Sequence, residues 1–195
     1  MKLKFDPNQQ YQLDAINAVV DIFAGQPKDS DGATRHIDQD GQLSLEATIA
    51  RGSSLVLDAV QIAENMRAVQ QRNDILPDEN DLIDETSTVE NLPHGMNFSI
   101  EMEAGTGKTY VYLRTIHELY QHYSWKKFII VVPSIAIREG VLKNLEIARE
   151  HFADLYNKPE MNYYVWDSKK TGQARELATN DTLQIMVITI DSFAK

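Results

Sequence analysis

The chain has no cysteine, which excludes disulfides, thiolate metal sites and cysteine nucleophiles. Long hydrophobic runs are missing as well. No uninterrupted apolar stretch approaches the roughly 20 residues of a membrane-spanning helix, and polar residues follow Phe5 where an export signal would carry its apolar segment. Neither a membrane association nor secretion is expected, and the cytoplasm is the expected compartment. Positive charge is in deficit: 19 basic against 29 acidic residues give a net charge of −10. Such a balance argues against attraction of the whole domain to nucleic acid, so any such contact must be local. His36, His94, His117, His122 and His151 show no ligand-like spacing, and a transition-metal site is not expected.

What is present suits one domain of ordinary size, since 195 residues with 43% hydrophobic content can bury a proper core. Much of the acidic excess is concentrated in Asp74, Asp78, Glu79, Asp81, Asp84, Glu85 and Glu90, around Pro77, which reads as a solvated connector. Residues 8–24 place Tyr11, Ala15, Ile16, Val19, Val20 and Phe23 at helical spacing between Pro7 and Gly25. Residues 26–52 have no sustained period and read as an inserted loop, with a short hairpin around Asp40 and Gly41. A helical pattern returns over 57–71 through Val60, Ile62, Ala63, Met66 and Val69, ending near Asn73.

Beyond Pro93 the pattern alternates. A strand is expected over 97–101, a helix over 110–122, a strand over 128–132, and a helix from the N-cap Ser134 through Arg149. Residues 162–166 and 183–190 add two strands, separated by a polar stretch with helical character over 174–178. The predicted fold class is therefore α/β, a parallel sheet flanked by helices. Ligands of such sheets bind beyond the carboxyl ends of the strands, where residues 102–109, Pro133 with Ser134, and Asp191 with Ser192 would emerge. The organisation reads as an N-terminal helix over 1–25, an insertion and acidic connector over 26–95, and an α/β core over 96–195.

Met102-Glu103-Ala104-Gly105-Thr106-Gly107-Lys108-Thr109, set between a predicted strand and helix, has the form of a phosphate-binding loop. Only its first glycine position, held by Met102, departs from the general pattern. Glu103, Ala104, Gly105, Thr106 and Gly107 let successive backbone N–H groups turn toward phosphate oxygens, and the following helix adds the positive end of its dipole. Lys108 would neutralise the β- and γ-phosphates and stands as the catalytic candidate. Thr109 supplies a hydroxyl to Mg²⁺. The expected ligand is thus a nucleoside triphosphate with Mg²⁺.

Two accessory groups accompany this loop. Gln12, on the first helix, has a side-chain amide that complements the N6 amino group and N7 acceptor of adenine. Residue type alone favours an exposed helical glutamine, since Gln is usually exposed, and Gln9 and Gln10 compete for the role. Ser134 and Arg138, at the start of the second core helix, could grip a nucleic-acid backbone without reading bases. Ser134 also suits a plain helix cap, and Arg138 could pair with Glu139. Tyr163, Tyr164 and Trp166 read as residues that pack a strand, and Tyr110 or Tyr112 as a cover for the sheet.

Residues 98–114 and 128–141 together closely resemble the restriction (Res) subunit of type III restriction-modification enzymes, which are superfamily 2 helicase-like motors. The likeness continues through 167–170 and 188–193, with weaker support from 11–16 and 64–71. The resemblance implies a P-loop, RecA-like fold and an ATP-dependent DNA endonuclease subunit that acts on double-stranded DNA with a methyltransferase (Mod) partner that recognises the sequence. It also implies that Gln12 reads adenine, that Lys108 and Thr109 bind the triphosphate and Mg²⁺, and that Ser134, Arg138 and Thr189 contact the DNA backbone. Such motors tolerate the substituted first glycine. They also carry an acidic Asp-Glu box, a second motor domain with an arginine finger, and a nuclease domain, none of which lies within these 195 residues. The expectation is therefore the N-terminal part of an incomplete first motor domain, with little or no ATP hydrolysis of its own. The alternative, a stand-alone P-loop nucleotide-binding protein or small-molecule kinase, fits less well. Such proteins open on the phosphate loop, whereas here it is preceded by a long segment with its own candidate adenine reader.

Overall fold

A strand at the centre of a parallel sheet is covered on both faces, and Leu183–Thr189, with the sequence LQIMVIT, is buried at all of its positions. In the computed structural model, which describes residues 5–28, 53–76, 97–167, 170, 172, 177 and 179–193, this strand lies between two parallel partners. In chain order the elements are α1 (Gln10–Ile22), α2 (Ala59–Arg72), α3 (Lys108–Tyr123), β1 (Lys127–Val132), α4 (Ile135–Leu155), β2 (Met161–Val165), β3 (Leu183–Thr189) and the single turn α5 (Ile190–Phe193). The strand order is β1-β3-β2. Lys127 pairs with Gln184 and Val132 with Thr189 along one side of β3, and Met161 with Leu183 and Val165 with Val187 along the other. The α/β fold predicted for the core is the one observed.

Helix α3 is buried on more than one face because it is enclosed between two layers. Its Tyr110, Leu113 and Ile116 join Val132, Leu145, Phe152, Leu183, Ile185 and Val187 in the main core. Its Val111, Leu119 and Tyr123 meet Ile16 and Val20 of α1, with Trp125 closing the cluster. Helix α2 docks on the end of α1 through Ile62, which packs with Ile22 and Leu57. Asp58 and Gln61 form a capping box at its start, so the donors that a helix leaves unpaired in its first turn are partly satisfied. The Asn65 side chain donates to the carbonyls of Ile22 and Ala24 at the end of α1 (3.0 and 2.9 Å). These contacts tie the N-terminal helical pair to the α/β core.

The observed elements depart from the expected ones in three ways. Residues 97–101 belong to no hydrogen-bonded ladder; Phe98 packs against the cluster at the α1–α2 junction instead, and Ile100 is exposed. A strand exists only where a neighbour offers its own donors and acceptors, and among the described residues β1 pairs on one side alone, with β3. Helix α4 runs past Arg149 to Leu155, because Phe152 still faces the core. Strand β3 stops at Thr189, where Ile190 opens α5. The hairpin expected around Asp40 and the acidic connector beyond Pro77 lie outside the described residues, as does most of the helical stretch over 174–178.

Candidate nucleotide and nucleic-acid sites

The phosphate loop precedes α3 as a tight turn that only glycine accommodates at two points. Gly105 and Gly107 both adopt left-handed backbone angles, with φ of 83° and 88°, a region that side chains with a Cβ disfavour. The Thr106 hydroxyl donates to the Glu103 carbonyl at 2.7 Å and closes the turn. Gly107 is the N-cap of α3 and provides no side-chain cap. The positive end of this helix therefore meets no side-chain acceptor of its own, an arrangement suited to an anion. Lys108 opens the helix with an exposed side chain and enters none of the ion pairs among the described residues.

Gln12 reaches this loop from far upstream in the chain. It is 7% exposed, and its Nε2 donates to the Thr106 carbonyl at 2.9 Å. A Cβ added at Gly107 would come within 2.7 Å of the same nitrogen, so a side chain there would displace the Gln12 amide as well as strain the backbone angle. Gln12 is not the exposed helical glutamine that its residue type also allowed. The two competitors stay local: Gln9 accepts from the Tyr11 hydroxyl, and Gln10 donates to Asp14.

The second group of candidates lies where β1 and β3 end side by side, Val132 in register with Thr189. Ser134 is exposed and caps α4, its hydroxyl 3.4 Å from the backbone N–H of Ile137. Arg138 donates to Glu139 through both Nε and Nη2, at 3.1 and 2.8 Å. Thr189 is buried and its hydroxyl shares a 2.9 Å hydrogen bond with that of Ser192, which is exposed. Among the described residues no hydrogen bond or ion pair joins this group to the phosphate loop. The tertiary structure thus joins Gln12 to the loop over 103–109. It sets Ser134 just beyond the end of β1 and Thr189 at the adjacent end of β3, with Arg138 paired to Glu139 and Ser192 to Thr189.

Residue type also failed to single out Arg114 and His151. Tyr110 Oη lies 2.9 Å from His151 Nε2, and Arg114, although charged, is 8% exposed. Burial lowers the proton affinity of His151, the Arg114 charge lowers it further, and Asp154 opposes both. The available signal was positional, a charge at helical spacing among Tyr110, Leu113 and His117 on the apolar face of α3. Tyr163 and Tyr110 both pack in the main core, as does Tyr112.

Comparison with known proteins agrees with this architecture. Residues 7–195 match the family described as "Type III restriction enzyme, res subunit". The chain is 29% identical over 172 residues to the EcoPI Res subunit of Escherichia phage P1, covering 87% of this chain and 16% of that protein. It is 31% identical over 167 residues to the EcoP15I Res subunit of Escherichia coli, covering 85% of this chain and 15% of that protein. A third relative, the StyLTI Res subunit of Salmonella typhimurium, is 36% identical over 109 residues, which is 47% of this chain and 11% of that protein. The chain therefore spans about a sixth of the length of the first two relatives. The match over nearly all of its residues, on an α/β core built around a phosphate loop, places the chain in the family of type III restriction enzyme Res subunits.

Proposed function

We propose that these residues form the ATP-binding part of the restriction subunit of a type III restriction-modification enzyme, a helicase-like DNA endonuclease powered by ATP hydrolysis. The observation that carries this reading is the contact between Gln12 and the Thr106 carbonyl. It brings a group able to recognise a base against a loop able to hold a triphosphate. One Nε2 hydrogen is donated to Thr106 and the other points to the Tyr11 hydroxyl, with Nε2 3.5 Å from that oxygen. Exchanging this long contact for N7 of adenine, with Oε1 accepting from N6, gives the base-reading pair.

Backbone N–H groups of Glu103, Ala104, Gly105, Thr106 and Gly107 surround the phosphates in this reading, and Lys108 neutralises their β- and γ-oxygens. Thr109 offers its hydroxyl to Mg²⁺, which when bound supplies charge neutralisation at those same oxygens. Ser134 and Arg138 hold the backbone of double-stranded DNA at the ends of β1 and β3, and Thr189 supports the exposed Ser192 hydroxyl beside them. Recognition of the DNA sequence falls to the methyltransferase (Mod) partner, in the cytoplasm. Residues 1–195 bind ATP and Mg²⁺ in this reading.

Titration of Mg-ATP against the chain and its Lys108→Ala variant tests the reading. Saturable binding by the former, weakened at least about tenfold in the latter, is expected from loss of a charge-assisted phosphate contact. Equal affinity in both would overturn it.

A further inference from the structure

Gln9 is the N-cap of α1, and Gln12 lies in its first turn; residues 5–9, which lead into α1, form neither helix nor strand. The tertiary contacts that hold them come from α3 and α4. Arg114, buried in α3, donates from Nη1 to the Pro7 carbonyl at 2.6 Å and from Nε to the Tyr156 hydroxyl at 3.1 Å. Glu118 balances the charge, its carboxylate 3.5 Å from Arg114 Nε and accepting the Tyr156 hydroxyl at 2.6 Å. Phe5 is held a second way, stacked on Tyr110 with ring centroids 5.6 Å apart and planes 20° apart, and tilted against His151 at 5.0 Å. Tyr110 follows Thr109 directly, so the ring that receives Phe5 belongs to the first turn of the phosphate-loop helix.

The segment is therefore tied at both ends, to α3 by Phe5 and Pro7 and to the loop that opens α3 by Gln12 on the Thr106 carbonyl. A buried arginine whose only task was to balance Glu118 would need no main-chain carbonyl from outside its own helix. A guanidinium can serve both Pro7 and Tyr156 because its N–H groups form a rigid planar fork, whereas a lysine ammonium is a single point on a flexible stem. Gln12 has little latitude. The Gly107 backbone stands so close that a methyl group there would touch its amide.

We propose that Arg114, acting through Pro7 and supported by the Phe5–Tyr110 stack, is a positioning residue that fixes the Gln12 amide for recognition of the nucleotide base. This rests on the ATP-binding reading above. It predicts a base-selective defect: an unlatched segment moves Gln12 but leaves the phosphate cradle and Lys108 in place.

The test is calorimetric titration of the chain with Mg-ATP, Mg-GTP and inorganic tripolyphosphate. The variants are Arg114→Lys, Phe5→Ala, Gln12→Ala and the double Phe5→Ala/Gln12→Ala, each checked for cooperative thermal unfolding. Phe5→Ala leaves the buried charge untouched and serves where Arg114→Lys fails to fold. Both latch variants should lower the ATP-over-GTP preference about tenfold, the scale of one hydrogen bond to the base, with tripolyphosphate affinity changed by less than about twofold. Phe5→Ala should add nothing once Gln12 is alanine, since coupled residues fail to add. A wild-type ATP-to-GTP ratio in the folded latch variants overturns the positioning role, as does an equal loss for all three ligands. Absence of Mg-ATP binding by the unmodified chain would instead remove the ATP-binding reading, and the positioning role with it.

Discussion

His117 is a buried imidazole with no hydrogen-bond partner at Nδ1, stacked on Tyr156 with centroids 5.0 Å apart and planes 6° apart. Desolvation lowers its pKa from 6.5 to about 4. The unfolded chain binds a proton there near pH 6.5 while the folded chain refuses it until about pH 4. The stability this neutral histidine allows is therefore complete above pH 6.5 and is lost as the pH falls through that window. Between pH 7 and pH 5 the loss from this residue is about 2 kcal/mol. Urea unfolding at the two pH values should show it, and His117→Phe, which keeps the stacked ring, should remove most of it. Gly107→Ala is the corresponding prediction at the phosphate loop. It places a Cβ in a left-handed backbone and against the Gln12 amide, with a backbone cost of about 1–2 kcal/mol. Mg-ATP titration of this variant should show weakened binding, and thermal unfolding a lowered midpoint.

Secondary-structure elements differ in how much they contribute to stability. In β3, Ile185 and Val187 are wholly inaccessible, and strands on both sides take up their backbone groups. Ile185→Ala should cost about 2–5 kcal/mol in chemical denaturation, enough to consume much of a typical domain's stability of about 5–15 kcal/mol. Helix α2 is anchored by fewer buried residues, Ile62 alone among its positions being fully buried. Asp58→Ala, which removes the capping box, should cost about 1 kcal/mol. Its effect should appear in hydrogen exchange as faster opening of 59–72, with the sheet amides unchanged. Of the elements expected from pattern, α1, α2, α3, β1, β2 and β3 appear within a residue or two of their expected bounds, because each carries its pattern locally. The strand expected over 97–101 was inferred from its position before the loop, and a strand depends on a partner that local pattern does not reveal.

For the molecule as a whole, the net charge of −10 must be reconciled with the DNA-binding role proposed for the rim of Ser134 and Arg138. Any attraction has to come from a few local groups, so the affinity should depend weakly on salt, with a log–log slope of about −0.9 for each phosphate contacted. Arg138 is held by Glu139 in the free chain and must exchange that carboxylate for a phosphate. Glu139→Gln should therefore tighten binding to double-stranded DNA, and Arg138→Ala should weaken it and reduce the slope by about 1. Fluorescence anisotropy over a salt series distinguishes these outcomes from a chain in which the pair is purely structural, where Glu139→Gln would leave the affinity unchanged.

Legibility in the linear chain followed the range of the interaction concerned. The phosphate loop was readable because its chemistry resides in consecutive residues, two glycines free to take positive φ and a lysine and threonine at fixed spacing. The α/β class was readable because amphipathic period and β-branched runs are local. Residue type could not choose among Gln9, Gln10 and Gln12, nor assign the buried Arg114 a partner. Those outcomes depend on packing α1 against α3, which joins groups far apart in the chain and makes one amide and one guanidinium satisfy carbonyls that no local pattern identifies.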